Sequence, residues 1–229
     1  MKTKTMNTAS VIGMILLVFC AFLVKAQTMK DIDGNDYNTI KFGLQEWTAS
    51  NLNVSKFING DIIPQAKTNE EWIKAGSEGK PAWCYFNNDP ENGKKFGKLY
   101  NWYAISDKRG LAPKGWLIPV SADWMTLVKN NLGIDVAGIK LKSKTGWKSK
   151  NGNDNIGFTA LPGGVRDESG AFKGLSTKCQ WWANSEPVEV KKSNLIYSLL
   201  LEDYNVQVSY LKMKKECGLS VRCVKDKTK

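Results

Sequence analysis

The chain has 229 residues, a formal net charge of +11, five cysteines, nine tryptophans and no histidine. Without an imidazole there is no Ser-His-Asp triad, no Cys-His nucleophile pair and no His-ligated zinc. An apolar content of 42% beside 24% charged residues belongs to a folded globular chain rather than a disordered one.

Lys2 and Lys4 precede an apolar run at 11–23, which closes on Val24-Lys25-Ala26. Small residues at 24 and 26 fit a signal-peptidase site, so 1–26 reads as a secretory signal peptide cleaved after Ala26. The apolar run is shorter than the ~20 residues needed to span a bilayer. Cys20 offers a lipoprotein attachment point as the alternative, and bulky Phe19 before it argues for cleavage instead. Losing Lys2, Lys4 and Lys25 lowers the net charge to +8 over 27–229. No second long apolar segment follows, so no transmembrane segment is expected after cleavage. A basic chain outside the cytoplasm points to acidic glycans or a surface partner rather than nucleic acid. Scattered over the surface, the same charge mainly confers solubility.

Cys84, Cys179, Cys217 and Cys223 remain after cleavage. An even number in an oxidising compartment makes all four disulfide candidates, with three pairings open. None shows the Cys-x-x-Cys spacing of a zinc or redox site.

In chain order, 31–36 is a turn-rich opening, and 37–42 and 45–47 alternate as two short strands. Asp31 and Asp33 do not start a calcium loop, because Asp36 and Phe42 stand where an EF-hand needs Gly and Glu. Thr68-Asn-Glu-Glu71 is a capping box that starts a helix carrying Trp72 and Ala75 and stopping near Gly76 or Gly79. A strand follows over 82–86, then a loop of turn formers over 87–93. Leu99, Trp102 and Tyr103 stand at helical spacing within 96–106. Ser121 is read as the cap of a helix over 122–131, with Trp124, Leu127 and Val128 on one face and Gly133 beyond its end. Residues 142–156 read as an exposed loop, and 157–164 as a strand and turn. Trp181 and Trp182 lie in a strand. Residues 195–202 and 206–212 form a hairpin, and 218–224 is a closing strand. Leu219, Val221 and Cys223 share one face of it, and Ser220, Arg222 and Val224 the other. Short helices mixed with antiparallel strands indicate the α+β class and one domain, 27–229.

The motifs run in a recognisable order: Asp31-Ile-Asp-Gly-Asn-Asp-Tyr37, Gln45-Glu-Trp47 with Asn51-Leu52, Trp83-Cys-Tyr-Phe-Asn-Asn-Asp89, and Gly97-Lys-Leu-Tyr-Asn-Trp-Tyr-Ala104. Pro113-Lys-Gly-Trp-Leu-Ile-Pro119 with Asp123-Trp124, Gly157-Phe-Thr-Ala-Leu-Pro-Gly-Gly164, Trp181-Trp182 and Gly218-Leu-Ser-Val-Arg-Cys-Val-Lys-Asp226 complete the set. Over 31–226 the chain resembles the Fibrobacter succinogenes major paralogous domain, a family of secreted or surface proteins common in Bacteroidetes-type bacteria. The resemblance implies a C-type-lectin-like fold, in the branch related to formylglycine-generating and sulfatase-modifying proteins. It departs from the pattern at Leu117, Val120, Asp123 and 183–185, all at positions where polar residues of other kinds are common. The family brings no defined activity.

The expected function is a secreted or cell-surface, non-catalytic binding module for a glycan or another extracellular polymer. Adjacent strand residues point to opposite faces, so Trp181 and Trp182 divide: one fills the core and the other is exposed as a stacking platform for sugar rings. Asn87, Asn88 and Asp89 are further ligand-binding candidates. No cofactor is required; calcium is an option, with Asp89, Asn153, Asp154 and Asn155 as its oxygens, although plain turns use the same residues. Glu186-Pro187 has a lectin-like look, but Val188 replaces the Asn that would follow. Two alternatives stand beside this reading. One is a structural or adhesion protein that binds other surface proteins through an exposed apolar patch, with the hairpin at 195–212 as its edge. The other is an enzyme of the formylglycine-generating-like branch, or a hydrolase using two of Glu46, Asp89, Asp123, Asp167, Glu168 and Glu186. Nothing in the sequence selects such a pair. Arg166 and Arg222 are expected in structural ion pairs with carboxylates.

Overall fold

The computed structural model describes residues 28–185 and 193–226. The leader at 1–26 with Cys20, and Glu186-Pro187-Val188, lie outside the described residues.

The elements follow as β1 (Thr28–Lys30), β2 (Asp36–Phe42), β3 (Gln45–Thr48), α1 (Asn69–Ser77), β4 (Trp83–Cys84), α2 (Pro90–Phe96), β5 (Leu99–Tyr100), α3 (Trp102–Ile105), β6 (Trp116–Leu117), α4 (Ser121–Lys129) and α5 (Ala137–Leu141). Then come β7 (Gly163–Arg166), β8 (Phe172–Leu175), β9 (Lys178–Trp182), β10 (Leu195–Glu202), β11 (Val208–Lys214) and β12 (Val224–Lys225). One sheet has the order β1-β2-β3-β12-β6, a second β11-β10-β9-β7-β8, and β4 pairs with β5. All pairings are antiparallel except β7 beside β9. Short helices over mainly antiparallel sheets make this an α+β architecture. No helix among the described residues is long and apolar enough to cross a membrane.

The capping box at α1 forms as the sequence predicts: Glu71 N donates to Thr68 Oγ1 at 3.1 Å, and Thr68 N donates to the Glu71 carboxylate at 3.2 Å. Three expectations are corrected. The helical spacing read over 96–106 yields only the short α3 at 102–105, and a longer helix, α2, lies earlier, in the segment read as a loop. Asp89 accepts from Glu91 N at 2.9 Å and Pro90 takes the first turn, which starts α2 at 90. Gly97, at φ +75°, ends it, and a Cβ there would stand 2.8 Å from the Leu52 carbonyl. Leu99 and Tyr100 then pair with Cys84 and Trp83 as strands. At α4 the cap is one residue earlier than Ser121. Asp123 reaches back to accept from Val120 N at 3.0 Å, while the Ser121 hydroxyl is buried without a partner. The segment 142–156 is not simply exposed. Trp147 and Lys142 are buried, and the Lys142 ammonium donates to the carbonyls of Lys150, Glu202 and Asn205.

The hairpin forms as β10 and β11, with Ser198 opposite Leu211. Leu199, Leu200 and Leu201 are all buried. Two large apolar clusters make the core. One gathers Tyr100, Trp102, Trp182, Leu219, Val221 and Cys223; the other gathers Trp47, Trp124, Phe158, Trp181, Leu199 and Val224. The alternation read over 218–224 therefore serves two cores rather than a core and a solvent face. Only 224–225 is regular strand, but Gly218, Leu219 and Ser220 bridge to Arg166, Tyr100 and Trp181. This last segment ties the sheets to the site.

Candidate functional site

Trp181 and Trp182 do point to opposite sides of β9, but both are 0% exposed. The expected stacking platform is absent because β9 is covered on both faces. Trp182 packs edge-on to Trp102 at 5.8 Å between ring centres and donates its indole N–H to Tyr100 O at 2.8 Å. Trp181 packs 5.7 Å from Trp124 and donates to Asn51 Oδ1 at 2.8 Å. Of the remaining tryptophans only Trp116 keeps partial exposure.

Asn51 is the hub of the polar site. Its Oδ1 also accepts the Arg222 Nε–H at 2.7 Å, and its Nδ2 donates to Phe96 O at 2.8 Å and Ser220 Oγ at 3.3 Å. The amide thus spends all of its capacity joining the segment after β3, the end of α2, β9 and the closing segment. Arg222 lies face-on to Phe158, 4.4 Å from the ring centre, and donates to Thr48 O at 2.7 Å and Thr159 O at 3.2 Å.

These residues underlie a cleft of about 250 Å³. Its walls are 35–37, 49–51 with Asn53, and the 93–97 end of α2, closed by Thr159, Leu161 and Arg222. The close approach that Gly97 permits brings the α2 end against 51–52 and so sets the wall. Asn53 is held through its backbone. Its N–H donates to Tyr37 Oη at 2.9 Å, and its carbonyl accepts from the Lys98 ammonium and from Asn35 Nδ2 at 3.5 Å. Lys98 itself sits 4.4 Å over the Trp83 ring, and burial brings its pKa down to about 8. The Asn53 Oδ1, in contrast, is buried with no partner.

Charge in the cleft is uneven. Asp36 is paired with Lys30 at 2.8 Å and Lys94 with Glu91 at 2.6 Å. Among the described residues no carboxylate lies within ion-pair distance of Lys95 or Arg222, and Lys95 instead rests 5.0 Å over the Phe96 ring. Arg222 is 1% exposed, and burial pulls its pKa down to about 9. The expected ion pairs of the two arginines are corrected. Arg166 is likewise buried and donates to Gly170 O, Ala66 O, Thr68 O and Asn69 Oδ1. Neutral oxygens solvate both guanidinium groups.

The other expected site residues scatter. Asn87 and Asn88 take left-handed backbone, φ 54° and 56°, in the turn before α2, and Asn88 Nδ2 donates to Lys67 O at 2.7 Å. Asp89 caps α2 at the end opposite the cleft. Asn153 accepts from Asn155 N at 3.2 Å within its own turn. Asp154 accepts from Thr159 N and Oγ1, both at 2.8 Å, so it reaches the cleft wall through Thr159. The side-chain oxygens of Asp89, Asn153 and Asp154 are thus engaged in turns and caps, and no group of three or more His, Cys, Asp or Glu suited to a metal gathers among the described residues. Cys84, Cys179, Cys217 and Cys223 are all buried as free thiols, so the expected disulfides are not formed. Cys84 lies by Arg166, Cys179 by Arg222 and Lys142, Cys217 by Glu168, and Cys223 by Asp31 and Arg222.

The carboxylates considered for hydrolysis have structural partners. Glu46 binds Lys225 and Thr39, Asp167 binds Lys173 and its own turn, Glu168 binds Lys214, and Asp123 is the α4 cap. Against the opposing effect of burial, those partners hold Glu46 and Asp167 below the ordinary carboxylate range. Glu186 lies outside the described residues.

Nothing in the local sequence marks Asn51, Asn53 or Lys95 as site residues. One signal existed: Arg222 stands between Val221 and Cys223 in an apolar closing segment, the pattern of a buried cation in need of polar partners. No curated protein and no solved structure matches the chain. The Fibrobacter succinogenes major domain matches residues 40–225, most of the chain including the cleft residues from Ala49 to Arg222, and the protein belongs to that family.

Proposed function

We propose that the protein is a secreted or cell-surface, non-catalytic binding module that takes a unit of a glycan or similar extracellular polymer into the Asn51–Asn53–Arg222 cleft. Export rests on the leader pattern at 1–26, and a C-type-lectin-like architecture on the family resemblance. The observation that carries the binding reading is unspent hydrogen-bonding capacity on two side chains that line a preformed hollow. Asn53 Oδ1 lacks a donor, and Arg222 uses three of its N–H groups. A buried polar atom without a partner costs about 1–3 kcal/mol, and a sugar hydroxyl supplies the missing donor. The volume lies just below the ~300 Å³ at which drug-sized ligand sites begin, which suits one ring rather than a long segment. The test is a binding screen of the purified protein against glycans and cell-envelope polymers, with and without calcium. Saturable binding that weakens in a folded Asn53→Ala variant supports the reading. Failure to bind any polymer contradicts it.

A second reading, docking of another surface protein, is favoured by one feature. An apolar groove runs along α4 beside the edge strand β11, lined by Ala122, Met125, Val128, Ile134 and Tyr210. Met125 is 59% exposed. Crosslinking of the protein on intact cells, reduced by Met125→Lys but not by Asn53→Ala, supports this alternative. No observation favours the enzymatic one.

A further inference from the structure

The cleft's charge narrows the ligand, given the reading of the cleft as a polymer site. A guanidinium has five N–H donors. Arg222 commits Nε to Asn51, one Nη1 hydrogen to Thr48 O and one Nη2 hydrogen to Thr159 O. One hydrogen on each terminal nitrogen remains, on a cation with no ion-paired carboxylate among the described residues. Two donors on adjacent terminal nitrogens match the two oxygens of a carboxylate or sulfate group. Lys95, on the α2 wall of the same cleft, adds a second cation without a paired carboxylate among the described residues.

We infer that the cleft seats an oxyanion of an acidic glycan, a uronate carboxylate or a sulfate ester, against Arg222 with Lys95 at its side. Burial penalises the guanidinium charge, and an incoming anion offsets that penalty in a low-dielectric setting. Asp154 acts on Arg222 through space, but its carboxylate is committed to Thr159. The remaining lining favours a sugar over an acidic peptide. Asn35, Ser50, Asn53 and Thr159 present amides and hydroxyls suited to ring hydroxyls, and Asn53 Oδ1 awaits a donor that an Asp or Glu side chain lacks when ionised.

The experiment measures affinity of the purified protein for polygalacturonate, dextran sulfate, their neutral counterparts methyl-esterified pectin and dextran, and poly-glutamate. Expected is binding to polygalacturonate or dextran sulfate at least about tenfold tighter than to the matching neutral polymer and to poly-glutamate. Whichever of the two binds identifies the carboxylate or the sulfate as the source of the oxyanion. Because Arg222→Lys removes bonds to three buried acceptors and endangers folding, the informative variants are Lys95→Glu and Asn53→Asp. Each adds a negative charge at the cleft, and each should weaken the acidic polymer about tenfold or more while circular dichroism stays unchanged. Equal binding of acidic and neutral glycans overturns the oxyanion assignment and leaves the binding-module reading standing. Equal binding of poly-glutamate overturns the choice of a sugar. Binding of no polymer removes both.

Discussion

Trp181 and Arg222 share one acceptor: both donate to Asn51 Oδ1, the indole at 2.8 Å and the guanidinium Nε at 2.7 Å. A tryptophan buried in one core and an arginine at the cleft are thereby set by the same amide. Trp181 reaches the cleft through Asn51 and through its ring, which lies 5.9 Å from the Arg222 guanidinium. Replacing Asn51 by Ala strips the partner from the indole N–H and from Phe96 O, and weakens Arg222. At about 1–3 kcal/mol for each buried group left unpaired, the variant should lose at least ~3 kcal/mol in urea unfolding. A loss under ~1 kcal/mol would mean that water replaces the amide and that Asn51 is not the hub.

The burial of the indoles has an optical consequence. Trp116 alone keeps partial exposure, so iodide should quench only a minor part of the native fluorescence. Trp116→Phe should remove most of that part. Extensive quenching of native protein that persists in Trp116→Phe would show another tryptophan at the surface.

The start of α4 gives a paired test. Asp123 accepts from Val120 N, whereas the Ser121 hydroxyl is buried and unpartnered. Asp123→Ala should cost ~1 kcal/mol, as lost caps do. Ser121→Ala should be neutral or stabilising, since it removes a buried hydroxyl that makes no bond. The sequence alone predicts the reverse for Ser121, so thermal unfolding of the two variants separates the readings.

The cysteines give a count and a pH dependence. Unfolded in the absence of reductant, 27–229 should yield four thiols to Ellman's reagent, and a lower count would mean a bridge had formed. Burial pushes Cys84 and Cys223 up to about 12 from an ordinary 9.0. The unfolded chain therefore gives up these protons first. Their contribution to stability is complete below pH 9 and is lost as pH rises from 9 toward 12, by up to ~1.4 kcal/mol per pH unit for each thiol. Lys98 works in the opposite direction: with a folded value of about 8 against an ordinary 10.5, its burial cost is relieved as pH rises between them. Cys84→Ala should flatten the alkaline loss above pH 9 in urea midpoints, and an unchanged slope would show that Cys84 is not protected.

Local chemistry made part of this molecule legible from its residues. The α1 capping box, the β10–β11 hairpin and the two-faced alternation at 219–224 follow from rules that act within a few residues. Tertiary context decided the rest. Leu99 carries a helical spacing with Trp102 and Tyr103, yet pairing with β4 claims it and Tyr100 as strand. The alternation of Trp181 and Trp182 was readable, but the second apolar layer over β9 was not, because it comes from Trp124, Phe158 and Trp47 far away in the chain. The cleft was hidden for the same reason. Asn51, Lys95 and Arg222 meet only after α2 and the closing segment dock on the turn that follows β3.

The most direct test is nuclear magnetic resonance of the labelled protein titrated with a short oligogalacturonide and with its sulfated counterpart. Shifts concentrated on the amides of 51–53, 94–97 and 222, and on the Arg222 side-chain Nε–H, are the expected result. No shifts with either oligosaccharide, or shifts confined to 122–134 and 208–211 along the apolar groove, would contradict the cleft as the binding site.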